Sequence, residues 1–587
     1  MKVKQYKRRL IDMALLAILV LIIALPGLAN MPVIDRDEAR YAQATVQMIE
    51  TGDYVNIRFQ DRARNKKPAG AYWAQAASVN MLSDVNKRPI WAHRLPSVLA
   101  ALLAILATYW GGTRMLGREV AFIGAGLLAV SMIFVFEAHI AKTDALLCGF
   151  SALTLASLGH LRNHAPDNKG RCAAVLFWFA LGCAVMIKGP LLPIVVILTI
   201  ICLLIWERKG AWLKPLLFFA GPLLFLAIIL PWGILIWQAT DGAFFTDAIG
   251  GDLVSKLKDG QERHGGVPGY YSLAVWITFW PGSLVLLPGL AFAFRAAKNK
   301  ALKDTPVAGA ARLLLAWILP FWLLLEFTPT KLPHYILPVY PALALLCGAS
   351  ILTLSHVKEF SILRRVSSAF YLVISIALAG GILFAQSYYG NFPTWSFAVL
   401  GLVIILSLLA VINLWGGKIK LAMITASLSA IILYVSAYQF IMPSLVDLRV
   451  TDQVKTALNS YNYSVKQKVF SPHYSEPSLV YRLGTHIIVG KEDEDITNFQ
   501  LGIGDFIILD YARETTKQYA KKLSEMFQKN GLCMQPLEVI KGTNYSKGDK
   551  VELGILRLKL CMGMKAGMKA EIKPSKLSEK QSTKPVP

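Results

Sequence analysis

Long apolar runs separated by short polar connections dominate the first 440 residues. Thirteen can be drawn, near 11–29, 93–115, 119–136, 141–161, 172–188, 189–206, 213–237, 270–294, 311–327, 333–354, 366–385, 395–415 and 419–440. Most have close to the ~20 residues that a helix needs to cross a bilayer. The first run follows MKVKQYKRR and lacks a small-residue cleavage site. It is read as a retained helix anchored on the cytoplasmic side, with a signal peptide as the alternative. Alternate connections then carry the cations: Arg114 and Arg118; Arg162, Lys169 and Arg171; Arg208 and Lys209; Arg295, Lys298, Lys300 and Lys303; Lys358, Arg364 and Arg365; Lys418 and Lys420. These are the inner loops. Thirteen crossings put the C-terminus outside.

Beyond residue 440 the pattern changes. Residues 441–562 alternate polar helical stretches with short β-like runs, at 486–490 and 505–510. The stretch 513–531 has apolar positions at helical spacing and ends in Gly531, a plausible C-cap. This predicts a small outer α/β domain. Residues 563–587 are rich in Lys, Pro and Ser and predict a disordered tail. The expected fold class is a polytopic all-α membrane protein, residues 1–440, with about thirteen transmembrane helices and this C-terminal domain.

Composition agrees. Only 17% of residues are charged, against roughly 25% in soluble domains, and mean hydropathy is +0.48. The net charge of +24 is read as topology and contact with membrane lipids, not nucleic-acid binding. No GxxxxGK[ST] loop is present, which argues against ATP-driven work. Cys533 and Cys561 fall in the outer domain; an oxidising compartment would allow them to pair, but spacing leaves this open.

The outer connections collect the chemistry. In the first outer loop, 30–92, Asp35 with Glu38 fits a helix capping box before Ala39, Ala42, Val46 and Ile49 at helical spacing. Asp37 is unused by that cap and is a candidate acid or base. Next, Arg64-Asn-Lys-Lys-Pro-Ala-Gly-Ala-Tyr-Trp73 is either an interfacial anchor or a phosphate-binding turn through Lys66 or Lys67. Further outer ends hold Glu137, His139, Lys142 and Asp144; Lys188; Asp252, Glu262, Arg263 and His264 in the loop 238–269; and Lys331, His334 and Tyr335. Singly, each reads as a solvated loop charge. Together, on the outer side of several segments, they suit a reaction on a lipid-linked phosphate. An ion-coupled transporter would instead place ionisable groups near the midplane, where the sequence has almost none.

Asp37-Glu-Ala-Arg-Tyr-Ala42, Thr51-Gly-Asp-Tyr54, Lys67-Pro68 with Tyr72-Trp73, Thr143-Asp144, Lys188-Gly189 and Lys331-Leu-Pro-His-Tyr-Ile-Leu-Pro338 carry a resemblance. The chain resembles the GT-C glycosyltransferases, nearest the bacterial lipid A 4-amino-4-deoxy-L-arabinose transferases, with protein O-mannosyltransferase-like relatives behind them. His264 with Pro268, Tyr270 and Tyr271 matches more loosely. The resemblance implies a GT-C fold in the bacterial inner membrane, with the C-terminal domain periplasmic. It implies inverting transfer of a sugar from undecaprenyl phosphate to lipid A. It makes Asp37 and Asp144 the candidate catalytic residues. Lys67, Lys188, Lys331, His264, Glu38 and Tyr335 become candidates for binding donor phosphate or acceptor. Arg40 and Tyr41 receive no role. Where the nearest relatives have a metal-contacting Glu, this chain has Lys66. A lysine is not an equivalent oxygen ligand, so no metal residue is assigned. Alternative readings are transfer to protein Ser or Thr or another envelope glycan, and transport of a lipid-linked sugar.

Overall fold

A computed structural model of the chain describes residues 2–162, 168–254, 265–299, 305–353, 361–391, 393–491 and 496–561. The expected tail at 563–587 lies outside them, as do His264, Glu262 and Arg263. Among the described residues, nine helices are long and apolar enough to cross a membrane. Two bent pairs raise this to eleven if each is one span: Arg118–Ala129 with Met132–Ala138, bent by 64°, and Tyr270–Thr278 with Gly282–Lys298, bent by 116°. The apolar runs 119–136 and 270–294 are therefore broken helices. Ser131 Oγ donates to Leu128 O at the first break, competing with the backbone ladder, and Pro281 stands at the second. Leu191–Glu207 has only 17 residues, and the start of Lys2–Ala24 is highly charged, so both fall outside that count.

The chain divides into two compact units, residues 1–33 with 44–444, and residues 34–43 with 445–587. In the first, small residues let helices approach closely. A Cβ added at Gly111 would lie 2.6 Å from Ala156 Cβ, and one added at Gly348 would lie 2.8 Å from Gly124 N. Ionisable groups sit deeper in the helices than the sequence suggests. Asp12, 4% exposed, accepts from Tyr109 Oη and Arg118 at 2.6 Å. Glu207 pairs with Arg162 at 2.8 Å and Arg312 at 3.0 Å. Arg94 is fully buried and donates to the carbonyls of Leu28, Met31 and Pro32, each at 2.9 Å, fixing the chain after the first helix.

The second unit holds a five-stranded sheet. Its strands are β3 (Val469–Ser471), β4 (Ile488–Val489), β5 (Phe506–Asp510), β6 (Leu532–Asn544) and β7 (Asp549–Leu560), numbered after a two-stranded hairpin, β1 (Arg58–Phe59) and β2 (Arg62–Ala63), in the first outer loop. Their order is β4-β3-β5-β7-β6, parallel among β4, β3 and β5 and antiparallel from β5 onward. The amphipathic helix Glu514–Lys529 supplies Leu523 and Phe527 to a core with Phe470, Ile507, Leu509 and Leu558. Gly531 follows at φ +73°, where a glycine closes a helix without strain.

Cys533 and Cys561 form a disulfide across the base of the β6–β7 hairpin. A crosslink spanning 28 residues removes roughly 3.5 kcal/mol of unfolded-chain freedom. Replacing both cysteines by serine should lower the stability of this unit by about that much. Thermal unfolding of the full chain with and without reductant checks it; coincident curves would contradict it.

Candidate active site

The helix Asp37–Thr51 starts with Asp37 exposed and Glu38 buried in its first turn, where the helix dipole favours carboxylates. Neither half of the expected capping box forms. Glu38 Oε2 reaches back to the backbone N–H of Ile34 at 2.8 Å. Asp35 turns away from the helix instead. Its Oδ1 accepts from Ser478 N at 2.7 Å and its Oδ2 from Ser478 Oγ at 2.8 Å, while its own N–H donates to Tyr545 Oη. These are contacts within the second unit, which takes in residues 34–43.

Burial pushes the Asp35 carboxyl up to about 7; the Ser478 side chain opposes the shift and Glu476 adds to it. The native state therefore holds a proton that the unfolded chain has released between pH ~4 and ~7. Asp35 consequently contributes stability at low pH, and loses it as pH rises through that window. From pH 5 to pH 8 the wild type should weaken relative to Asp35→Asn by on the order of 2 kcal/mol. Limited proteolysis of the second unit at both pH values reads this; a constant difference would refute it.

A second group of charges is built at the ends of four helical elements in the first unit. Asp144 opens the helix Asp144–Arg162, and Lys188 closes Asn168–Lys188, each at the helix end that suits its sign. They form an ion pair. Lys142 lies between Glu137 Oε1 at 3.1 Å and Asp144 Oδ2 at 3.6 Å. Glu137 comes from the end of Met132–Ala138. His334, on the turn Pro333–Val339, sets Nδ1 3.7 Å from Glu137 and Nε2 3.9 Å from Asp144. Tyr335 presents its ring to Lys188 Nζ at 5.1 Å, within cation–π range. Both carboxylates and both ammoniums are at least nine-tenths buried. Beside them, His139 stacks on Tyr438 at 3.9 Å and faces the carbonyls of Val135 and Pro26 at 2.8 and 3.1 Å.

The structure thus brings Asp144, Lys188 and Tyr335 together. Lys331 is occupied differently: its Nζ donates to the carbonyls of Leu325 and Glu326 at 2.7 and 2.6 Å, closing the helix Pro306–Phe327, and lies over the Tyr271 ring. Lys67 sits half-buried in the turn before the helix Gly70–Leu82, with Lys66 exposed beside it. Asp37 and Glu38 belong to the other unit. Of the loop 238–269, Gly265 bridges to Thr330 and Gly266 N donates to Pro329 O at 3.1 Å. Glu137, Lys142 and His334 complete the cluster without having been assigned roles from sequence. The first two share one eight-residue string with Asp144, which was the available signal. As for a metal, the position where the resemblance calls for a carboxylate carries an exposed ammonium at Lys66, so these residues do not fit one.

Comparison with known proteins places this geometry in context. Residues 11–242 match the model of the family described as dolichyl-phosphate-mannose-protein mannosyltransferase. The undecaprenyl phosphate-alpha-4-amino-4-deoxy-L-arabinose arabinosyl transferase of Aeromonas salmonicida is 27% identical over 324 residues, 54% of this chain and 56% of that protein. Its namesake in Yersinia pestis is 26% identical over 57% of this chain and 58% of its own length. The chain thus spans little more than half the length of these curated relatives. The crystal structure of ArnT from Cupriavidus metallidurans bound to undecaprenyl phosphate superposes with a TM-score of 0.71 at 18% identity, covering 92% of this chain and 97% of that one. The fold is that of ArnT, a multi-span membrane architecture with a small C-terminal sheet domain, and the chain resembles the GT-C glycosyltransferases in sequence as well.

Proposed function

We propose that this protein is an inner-membrane glycosyltransferase that moves 4-amino-4-deoxy-L-arabinose, or a similar sugar, from undecaprenyl phosphate to a lipid A phosphate on the periplasmic side. The observation that carries the proposal is the buried set of Asp144, Lys188, Lys142, Glu137, His334 and Tyr335. The relatives' names supply the donor and sugar. Acceptor oxygen attacks the anomeric carbon, the bond from that carbon to the phosphate oxygen breaks, and its electron pair leaves on undecaprenyl phosphate. One displacement inverts the centre. The leaving phosphate gains negative charge, so donors aimed at it stabilise the transition state more than the ground state.

Two ammoniums, Lys142 and Lys188, are gathered on two carboxylates, Glu137 and Asp144, within one buried cluster. In this scheme Lys188 and Lys142 hold the donor phosphate, Asp144 and Glu137 orient those ammoniums, and Tyr335 packs on Lys188. An acceptor phosphate is already ionised and needs no strong base.

We also propose thirteen crossings. Residues 34–43 share a unit with residues 445–561, so the chain between them crosses the membrane an even number of times. Nine spans and two bent pairs are odd, and counting Leu191–Glu207 makes twelve. The helix Lys2–Ala24 is the thirteenth. The Cys533–Cys561 disulfide supports an oxidising, periplasmic side for the C-terminal unit.

The mannosyltransferase family match favours a second reading, transfer to a protein hydroxyl. A hydroxyl needs a general base worth ~10²–10⁴-fold, and exposed Asp37 is its candidate. Mass spectrometry of lipid A from cells with the gene, without it, and with Lys188→Gln decides between them. A pentosamine-sized addition that is lost in both mutants supports the proposal. Unchanged lipid A, with glycoproteins altered, replaces it by the second reading.

A further inference from the structure

The membrane-spanning unit has a groove around Asp12, lined by none of the residues of the Asp144 cluster. The helices Lys2–Ala24, Arg118–Ala129 and Ile419–Ser436 contribute to its walls, and it encloses about 700 Å³. Along all three the charged residues come first. Asp12 precedes Leu19, Arg118 and Glu119 precede Leu127, and Lys420 precedes Ile431. From residue 420 to 431 a helix rises ~16 Å, about half of a ~30 Å hydrocarbon core. The groove is one leaflet long, with a polar end at headgroup depth and an apolar remainder. In it, Ile424 is 62% exposed, an apolar surface that gains dispersion contacts only when something fills the space.

The charges at the polar end select the occupant. Asp12 is taken up by Arg118 and Tyr109. Glu119 and Lys420 remain, both exposed and neither in an ion pair among the described residues. One carboxylate and one ammonium lining the same groove complement a headgroup with a phosphate and a primary ammonium. We propose that the groove binds one phosphatidylethanolamine molecule. Lys420 takes its phosphate, Glu119 accepts from its ammonium, and an acyl chain runs along the walls to Ile431. Phosphatidylglycerol brings no cation to Glu119. Phosphatidylcholine brings one without N–H donors, so it forgoes the charge-assisted hydrogen bond.

Gly126 gives a direct test, because it lines the groove and a Cβ built on it meets nothing within 4 Å. Gly126→Leu sends a side chain into the space from a Cβ that displaces no neighbour. The full chain in detergent is offered the palmitoyl-oleoyl forms of phosphatidylethanolamine, phosphatidylcholine and phosphatidylglycerol, and retained lipid is counted by native mass spectrometry. The wild type should retain one phosphatidylethanolamine about tenfold more than either other lipid. Gly126→Leu should abolish that retention. The double variant Glu119→Gln, Lys420→Gln removes no buried side chain, and should retain all three lipids equally. Equal retention by the wild type, preference for phosphatidylglycerol, or unchanged retention in Gly126→Leu overturns the proposal. So does displacement of the lipid by undecaprenyl phosphate, which would assign the groove to the donor.

Discussion

Asp144→Asn lowers sugar transfer by about 10³-fold or more, read as the initial rate in proteoliposomes supplied with the polyprenyl-linked donor. Removing one well-aimed electrostatic partner from a buried site typically costs ~10²–10³ in rate. Here the loss is compounded, because Asp144 faces Lys188, Lys142 and His334 together. Stripping its charge leaves two buried ammoniums competing for Glu137. Breaking such a pair also costs ~3–5 kcal/mol of stability, so the single variant cannot separate chemistry from folding. The double variant Asp144→Asn, Lys188→Gln can, since it removes both charges of the pair. Stability that returns while transfer stays abolished assigns the pair to the reaction. Transfer that returns with stability would make the pair structural, and would remove the principal support for the proposed mechanism.

Arg94→Leu costs ~3–5 kcal/mol and lowers the amount of folded protein in the membrane. The guanidinium is fully buried and serves three carbonyls in the stretch 28–32. Leucine fills much of the volume but leaves all three acceptors without this donor in a buried place. Arg94→Lys should recover part of the loss, because a single ammonium has donors but not the planar fork that spans separate oxygens. The midpoint of thermal unfolding and the abundance at fixed expression both check this. A leucine variant as stable as the wild type would refute it.

The helical part of this fold was legible because twenty-residue apolar runs have few other solutions in a chain of this composition. The helix after Asp37 and the one closed by Gly531 were legible from period and punctuation. What escaped was whatever depends on distant partners. The long β6–β7 hairpin carries Lys541, Gly542 and Thr543 among its apolar positions, so it reads as loop until β7 is seen opposite. Asp35 looked like a cap because the spacing to Glu38 was right, yet Ser478 outcompetes the helix for its carboxylate. The resemblance made Lys331 a phosphate candidate; its contacts to the carbonyls at the end of Pro306–Phe327 were not legible, because they depend on how the chain turns back after that helix. Asp144 and Lys188 were nameable from their motifs. That Glu137, Lys142 and His334 would meet them was not, because the cluster is assembled from segments around 137–144, 188 and 334.

The contact from Asp35 to Ser478 joins residues 443 apart in the chain. A ribosome adding ~5–20 residues per second needs on the order of 20–90 s to travel that distance. Throughout this interval residues 34–43 have left the translation machinery without the sheet domain that will shelter them. The start of the first outer loop must therefore be built from a chain that waits, either held by a chaperone or fluctuating in water. A stop codon between residues 445 and 478 releases a protein whose membrane helices are complete but whose segment 34–43 never finds its partner.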